Sequence, residues 1–170
     1  YRVWAAEKSG LLLKLQTLDA QGQVLEQAAF SELQLDVPLK MDQLLQMMGK
    51  TDGYRVKKLK LLTTTADAEG WVLKSPVPGF SSVSCYRRPA SSRAESGRGE
   101  PMQWTFSDGL ASVSLFVEPY QKQHHPQESS LSIGATQTIT RRVDAYWLTA
   151  MGEVPLATLQ LFAAGLERKR

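Results

Sequence analysis

Cysteine and histidine are scarce in this 170-residue sequence, whose only cysteine is Cys85 and whose only histidines are His124 and His125. A single cysteine excludes a disulfide bond within the chain, and we expect Cys85 to be a small buried hydrophobic residue on a strand. The adjacent histidines lie in a polar stretch without a Cys, an Asp or a further His at ligand spacing. We therefore expect both to face solvent and to bind no metal.

Long apolar runs are also absent, so we expect no segment to cross a bilayer. The sequence shows no initiator methionine and no basic-then-apolar leader. Because it starts at Tyr1, inside a segment with the composition of a strand, we expect a fragment of a longer protein, with any signal peptide outside it.

Signatures of catalysis are missing as well. The sequence has no Gly-x-Ser-x-Gly nucleophile elbow and no phosphate-binding glycine loop. With both histidines in a polar loop, a hydrolase would lack a well-placed general base. We therefore expect a binding protein rather than an enzyme, with no catalytic residue and no cofactor.

The charge is basic overall, with a formal net charge of +3 and a pI of about 9.0. Arg168, Lys169 and Arg170 carry three positive charges, so the rest of the chain sums to zero. We interpret the basicity as a C-terminal tail and expect no nucleic acid partner.

The most regular pattern lies in residues 102–117, MQWTFSDGLASVSLFV, and predicts a β-hairpin with a two-residue loop at Asp108 and Gly109. The predicted cross-strand partners are Phe106 and Ala111, Trp104 and Val113, and Met102 and Leu115. This register places apolar residues on one face and Ser, Thr and Gln on the other.

Residues 1–35 predict a three-stranded meander with turns at 7–10 and 19–22, and with Leu11, Leu13 and Leu15 on one face. Such a meander is not stable alone. Either it completes a larger sheet, or it pairs with another copy of the chain. We expect self-association to cover its edges.

The stretch that follows has weaker patterns. Residues 41–48 predict a short helix that ends near Gly49, and we interpret its methionines as packed on a neighbour rather than as an exposed binding stripe. A basic strand-like run covers residues 54–62. Residues 90–101 predict a mobile surface loop.

The pattern of the C-terminal part, from residue 71 onward, predicts several strands and one helix. We expect strands at 71–73, 80–86, 136–142 and 143–151, with a polar loop at 118–130. A helix begins at Pro155, with Leu156, Leu159, Phe162, Ala163 and Leu166 forming its apolar stripe. The predicted fold class is α+β, an antiparallel sheet covered by a C-terminal helix.

Three collinear segments resemble the C-terminal domain of the MucB/RseB family: WVLKSPVPGFSSVSCYRRP (71–89), FSDGLASVSLFVEP (106–119) and RRVDAYWLTAMGEVP (141–155). The opening residues 1–36 resemble the last strands of that family's larger N-terminal domain, a half-open barrel similar to the lipoprotein carriers (LolA-like). The resemblance implies a truncated large domain at 1–36, a linker at 37–69 and the small domain at 70–170.

The resemblance also implies a periplasmic negative regulator of the envelope stress (sigma-E type) response. Such a protein binds the periplasmic part of an anti-sigma factor (RseA/MucA-like) and protects it from proteolysis. Lipid or lipopolysaccharide would act through the large domain. The alternative is a lipid or lipoprotein carrier of the envelope, and an envelope hydrolase is a more distant one.

Paired arginines are the residues that we would test first for binding. Guanidinium groups of Arg87, Arg88, Arg141 and Arg142 can hold the carboxylates of a peptide partner in two-point contacts. The alternative is that these arginines are solvated strand ends that guard the sheet edges against aggregation. The assignment rests on charge alone.

Overall fold

The computed structural model describes residues 1–38, 40–56, 61–88, 100–125 and 127–169. The chain divides into two units, Tyr1–Lys58 and Leu59–Arg170. The boundary between the units falls inside the linker predicted at 37–69, while the exact bounds of that linker stay a prediction.

The first unit contains the predicted meander. Strands β1 (Arg2–Ala5), β2 (Leu12–Leu18) and β3 (Val24–Ala29) pair in the antiparallel order β1-β2-β3. In the second turn, the Asp19 carboxylate accepts hydrogen bonds from the backbone N–H groups of Gln21 and Gln23 at 2.9 and 2.8 Å. The turn chemistry that was read from the sequence therefore sets this hairpin.

Helix α1 (Met41–Gly49) follows at the predicted place, but no residue of it is buried. Met47 and Met48 are 70% and 79% exposed, so the prediction that the methionines pack on a neighbour is wrong for this chain. Most of the basic strand-like run at 54–62 lies outside the described residues or forms no strand. Only its end belongs to a strand, β4 (Leu62–Thr63).

The second unit is built on one large antiparallel sheet with the order β4-β6-β7-β8-β11-β10-β9. A two-stranded sheet pairs β5 with β12, and the helix α2 (Leu156–Gly165) precedes β12. The remaining strands are β5 (Trp71–Leu73), β6 (Ser81–Arg87), β7 (Met102–Ser107), β8 (Ser112–Pro119), β9 (Ser129–Ile133), β10 (Thr136–Val143), β11 (Tyr146–Gly152) and β12 (Leu166–Arg168). This architecture confirms the predicted α+β class.

The β7–β8 hairpin exists, but its predicted register is wrong by two residues. Trp104 pairs with Leu115 and Ser107 with Ser112, which leaves a four-residue loop at 108–111. The Asp108 carboxylate accepts the backbone N–H groups of Leu110 and Ala111 at 2.8 and 2.7 Å, and this geometry favours the longer loop. A shift of two residues keeps every side chain on its predicted face.

The core lies between this hairpin and α2. Val113, Leu115, Leu159 and Phe162 are fully buried, as the predicted apolar faces require. Leu156 departs from the predicted stripe because it is 39% exposed. Pro155 precedes the first helical residue rather than occupying it.

Two strands escaped prediction. Strand β9 lies at the end of the polar stretch, where alternation is too weak to indicate a strand, and β12 continues directly from α2. The boundary between β10 and β11 also differs from the predicted one, which lay between residues 142 and 143. Val143 belongs to β10, and a two-residue turn at Asp144 and Ala145 follows, with Asp144 at a φ of 53°. The predicted loop at 90–101 lies outside the described residues except for its last two positions.

Candidate partner-binding site

A cleft of about 670 Å³ lies beside strand β6 in the second unit. Its apolar lining comes from Trp71, Val77, Phe80, Val83, Trp104 and Phe106. The consecutive threonines 63–65 line another part of the wall. The cleft is therefore aromatic and aliphatic, with hydroxyl groups along one side.

The cleft exists because β4 is short. The strand pairs only with Tyr86 and Arg87, and the backbone N–H of Thr64 adds one more bond to the carbonyl of Cys85 at 3.0 Å. The chain then turns away through residues 66–70. Among the described strands, none pairs with residues 81–84 of β6 on this side.

Strand β6 contains a bulge at the cleft. The register with β7 shifts between Ser82 and Ser84, and Val83 between them is 64% exposed. The indole N–H of Trp104 donates to the Ser82 hydroxyl at 2.8 Å. A bulge re-aims side chains locally, and here it leaves an aliphatic group exposed at the cleft.

Cys85 lies deeper in the same wall, where it is buried as predicted. Burial, followed by the negative charge of Glu69, raises the pKa of its thiol to about 11. At neutral pH the group is a protonated thiol, which makes it part of the apolar lining and a poor nucleophile.

Arg87 and Arg88, two of the predicted binding residues, are both exposed at the C-terminal end of β6. The Arg87 guanidinium lies 3.6 Å from a carboxylate oxygen of Glu69 and 3.6 Å from one of Glu100. Glu69 also accepts the Thr64 hydroxyl at 2.9 Å. Arg87 thus lies in a charge-compensated network next to the cleft.

Arg141 and Arg142, the other two predicted binding residues, lie on β10, which three strands separate from β6, and they point to opposite faces of β10. Arg141 donates to the carbonyl of Leu166 at 3.4 Å, and its buried Nε has no hydrogen-bond partner among the described residues. Arg142 donates from Nε to the carbonyl of Asp144 at 2.8 Å and covers the ring of Tyr120 at 4.3 Å. The four arginines do not form one site.

His125 was predicted to face solvent, and this is wrong because its side chain is buried. Its ring stacks on Trp147, Nδ1 accepts the backbone N–H of Gln121 at 3.0 Å, and Nε2 contacts a Glu118 carboxylate oxygen at 3.2 Å. The neighbouring His124 is exposed, as predicted. No group of three or more His, Cys, Asp or Glu side chains that could hold a metal occurs in the described part of the chain.

The C-terminal basic residues are not a free tail where the structure describes them. The Arg168 guanidinium packs 4.8 Å from the Tyr146 ring and 5.2 Å from the Trp71 ring, and it donates to the carbonyl of Glu69 at 2.9 Å. Lys169 forms an ion pair with Asp67. Arg168 and Lys169 therefore attach the C-terminal end of the described chain to the wall of the cleft.

The first unit presents a separate apolar surface. Leu15 pairs with Val3 on one side and Ala28 on the other, and Val3 and Phe30 are 51% and 58% exposed. A cleft of about 280 Å³ on this unit is lined by residues 12–15 and 28–30.

No described helix in either unit is long and apolar enough to span a membrane.

Two family models match this chain. The model of the MucB/RseB C-terminal domain matches residues 65–167, more than half of the sequence, and that of the MucB/RseB N-terminal domain matches residues 1–48. The chain belongs to the MucB/RseB family. The resemblance that was read from the three collinear segments is thereby confirmed.

One curated relative of this MucB/RseB family member is the sigma factor AlgU regulatory protein MucB of Pseudomonas aeruginosa. The two are 28% identical over 169 residues, an alignment that covers 93% of this chain and 48% of the relative. The chain thus spans about half the length of the relative.

Solved structures of MucB share the fold. A crystal structure of MucB in complex with MucA(peri) matches with a TM-score of 0.69 and 23% identity, over 99% of this chain and 56% of that one. The structure of the Pseudomonas aeruginosa MucA/MucB complex matches with a TM-score of 0.68 and 23% identity, over 99% of this chain and 54% of that one. A crystal structure of MucB matches with a TM-score of 0.60 and 23% identity, over 97% of this chain and 51% of that one.

Proposed function

We propose that this chain is the C-terminal part of a periplasmic regulator that binds the periplasmic segment of an anti-sigma factor and shields it from proteolysis. One observation carries the proposal. Both MucB/RseB family models match in order, and the fold extends over 99% of the chain onto a MucB bound to MucA(peri). The binding role needs no catalytic group and no cofactor.

We place the anti-sigma segment in the cleft beside β6. A peptide in extended conformation can hydrogen-bond to a free strand edge and insert apolar side chains into an adjacent pocket. Residues 81–84 of β6 supply the edge, and Trp71, Phe80 and Trp104 supply aromatic walls. Arg87 and Arg88 lie beside the cleft, where they could contact carboxylates of the peptide, whereas the side-chain contacts of Arg141 and Arg142 are with their own unit.

Calorimetric titration of the chain with the purified MucA periplasmic segment, at low and moderate salt, tests the proposal. We expect saturable binding and a longer lifetime of the segment under protease digestion. Val83→Glu should weaken binding at least tenfold, because Val83 is exposed at the cleft. Leu110→Glu is the matched control, since Leu110 is 67% exposed and lies outside the cleft. Absence of binding by the unmodified chain would contradict the function, while equal loss in both variants would contradict the site.

A second candidate function is favoured by the first unit. Its apolar surface of exposed Val3 and Phe30 and half-buried Leu13 and Leu15, with a cleft of about 280 Å³, could hold part of an acyl chain. This reading predicts that lipid co-purifies with the chain. Mass spectrometry of an organic extract that detects no acyl species would contradict it.

A further inference from the structure

Strand β9, at one end of the large sheet, has an outer edge on which no described strand pairs. It contains the residues SSLSI, and its pairing with β10 is regular over all five positions. Proteins usually protect such an edge with a charge, a proline or a bulge. Strand β9 has none of these.

The other described edge strands differ from β9. The edges of the first sheet contain Arg2 in β1 and Glu26 in β3, and each has a register shift. Strands β4, β5 and β12 have only two or three residues each. Among the described edge strands, β9 alone is longer than three residues and lacks both a charge and a bulge.

The direction of the backbone groups of β9 follows from its contacts with β10. The backbone N–H of Ser129 donates to the Thr140 hydroxyl, and the backbone N–H of Arg142 donates to the carboxylate of Glu128. Residues 140 and 142 therefore direct their N–H groups toward β9, and Ser129 directs its own toward β10. Because these directions alternate along a strand, Ser130 and Ser132 direct their N–H and C=O groups to the open edge.

This pattern is self-complementary. If a second β9 pairs antiparallel about a twofold axis at Leu131, Ser130 of each copy lies opposite Ser132 of the other, and both exchange backbone hydrogen bonds. Leu131 then lies opposite its own copy in a non-hydrogen-bonded pair, where side chains approach most closely. The side chains of Leu131 and Ile133 are 54% and 71% exposed on one face of the strand.

We propose that this chain self-associates through β9, which pairs antiparallel with β9 of a second copy and joins the two seven-stranded sheets into one. The partner is a second copy because a twofold operation matches the edge to itself with no opposed charges. The residues of this interface are separate from those that line the cleft beside β6.

Site-specific cross-linking of the full chain tests the geometry. Leu131→Cys places two thiols across the twofold axis at a separation suited to a disulfide, so mild oxidation should give a covalent dimer. Ser129→Cys is the matched control, because residue 129 lies opposite residue 133 of the other copy, about 13 Å from its own copy. The double variant Ser129→Cys with Ile133→Cys should cross-link again. Cys85 is buried and is retained in all variants.

Sedimentation equilibrium measures the association without a covalent bond. We expect the unmodified chain to dimerise reversibly and Leu131→Lys to raise the dissociation constant at least tenfold, with Leu110→Lys unchanged. Equal cross-linking at 129 and 131, or a dimer that Leu131→Lys leaves intact, would overturn the proposal. So would a chain that stays monomeric at all concentrations and does not cross-link through Leu131→Cys.

Discussion

The imidazole ring of His125 stacks on the indole of Trp147, with centroids 4.9 Å apart and planes inclined by 13°. Trp147 alternates along β11 with Leu148, which belongs to the core that packs on α2, so Trp147 lies on the opposite face of the sheet. The loop after β8 brings His125 onto Trp147, and both residues are buried. The stacked ring of His125 therefore shields Trp147 from solvent on this face of the sheet.

Replacing His125 by alanine should lower the free energy of unfolding by about 1–3 kcal/mol, because it removes both the stacking contact and the hydrogen bond from the Gln121 N–H to the imidazole. Urea unfolding followed by tryptophan fluorescence measures the change. His124→Ala is the matched control, and we expect it to alter stability by less than about 0.5 kcal/mol since His124 is exposed. Equal effects of the two substitutions would contradict the assigned role of His125.

Patterns in the sequence predict most of this fold because they act locally. Alternation around Asp108 and Gly109 identified the central hairpin, and three- and four-residue spacing identified α2. The predicted register of the hairpin was wrong because the Asp108 carboxylate organises a four-residue loop, which the rules for two-residue turns do not describe.

The candidate site was much harder to predict. The cleft depends on how soon β4 ends and on a bulge at Val83, and neither has a composition signal. Charge patterns selected four arginines, but strand order separates them into different surroundings. The burial of His125 likewise depends on Trp147, which is more than twenty residues away in sequence.

Asp108 should stabilise the β7–β8 loop through its two backbone hydrogen bonds. These bonds lower the pKa of its carboxyl below the ordinary value, since they favour the charged form. The contribution is therefore present above the ordinary pKa of an aspartate and is lost as the pH falls through the lower pKa of the folded state. We expect Asp108→Ala to destabilise the chain at pH 7, and the difference from the unmodified chain to shrink in acid. Asp108→Asn, which keeps one acceptor oxygen, should lose less stability in the same unfolding series.

Gly152 should not tolerate a side chain. A Cβ atom at this position would lie 2.5 Å from the backbone carbonyl oxygen of Ser112, which is a contact that requires the paired strands β8 and β11 to separate. We expect Gly152→Ala to lower the unfolding free energy by about 2 kcal/mol or more. Gly49→Ala is the control, because no atom of the described residues outside its own helix and chain neighbours lies within 4 Å of its Cβ position. Thermal unfolding of both variants by circular dichroism gives the comparison, and an unchanged midpoint for Gly152→Ala would contradict the packing described.

Cys85 should be unreactive in the folded chain and reactive after unfolding. Its thiol is buried, and its pKa is raised to about 11. Because the folded state favours the protonated thiol, the associated stability is complete below the ordinary thiol pKa and is lost as the pH rises from about 9 through about 11. We expect slow labelling by a thiol reagent at pH 8 without denaturant and rapid labelling in urea. Between pH 9 and 11, the unfolding free energy should fall more steeply for the unmodified chain than for Cys85→Ala. Rapid labelling of the folded chain would contradict the burial of this thiol in the wall of the cleft.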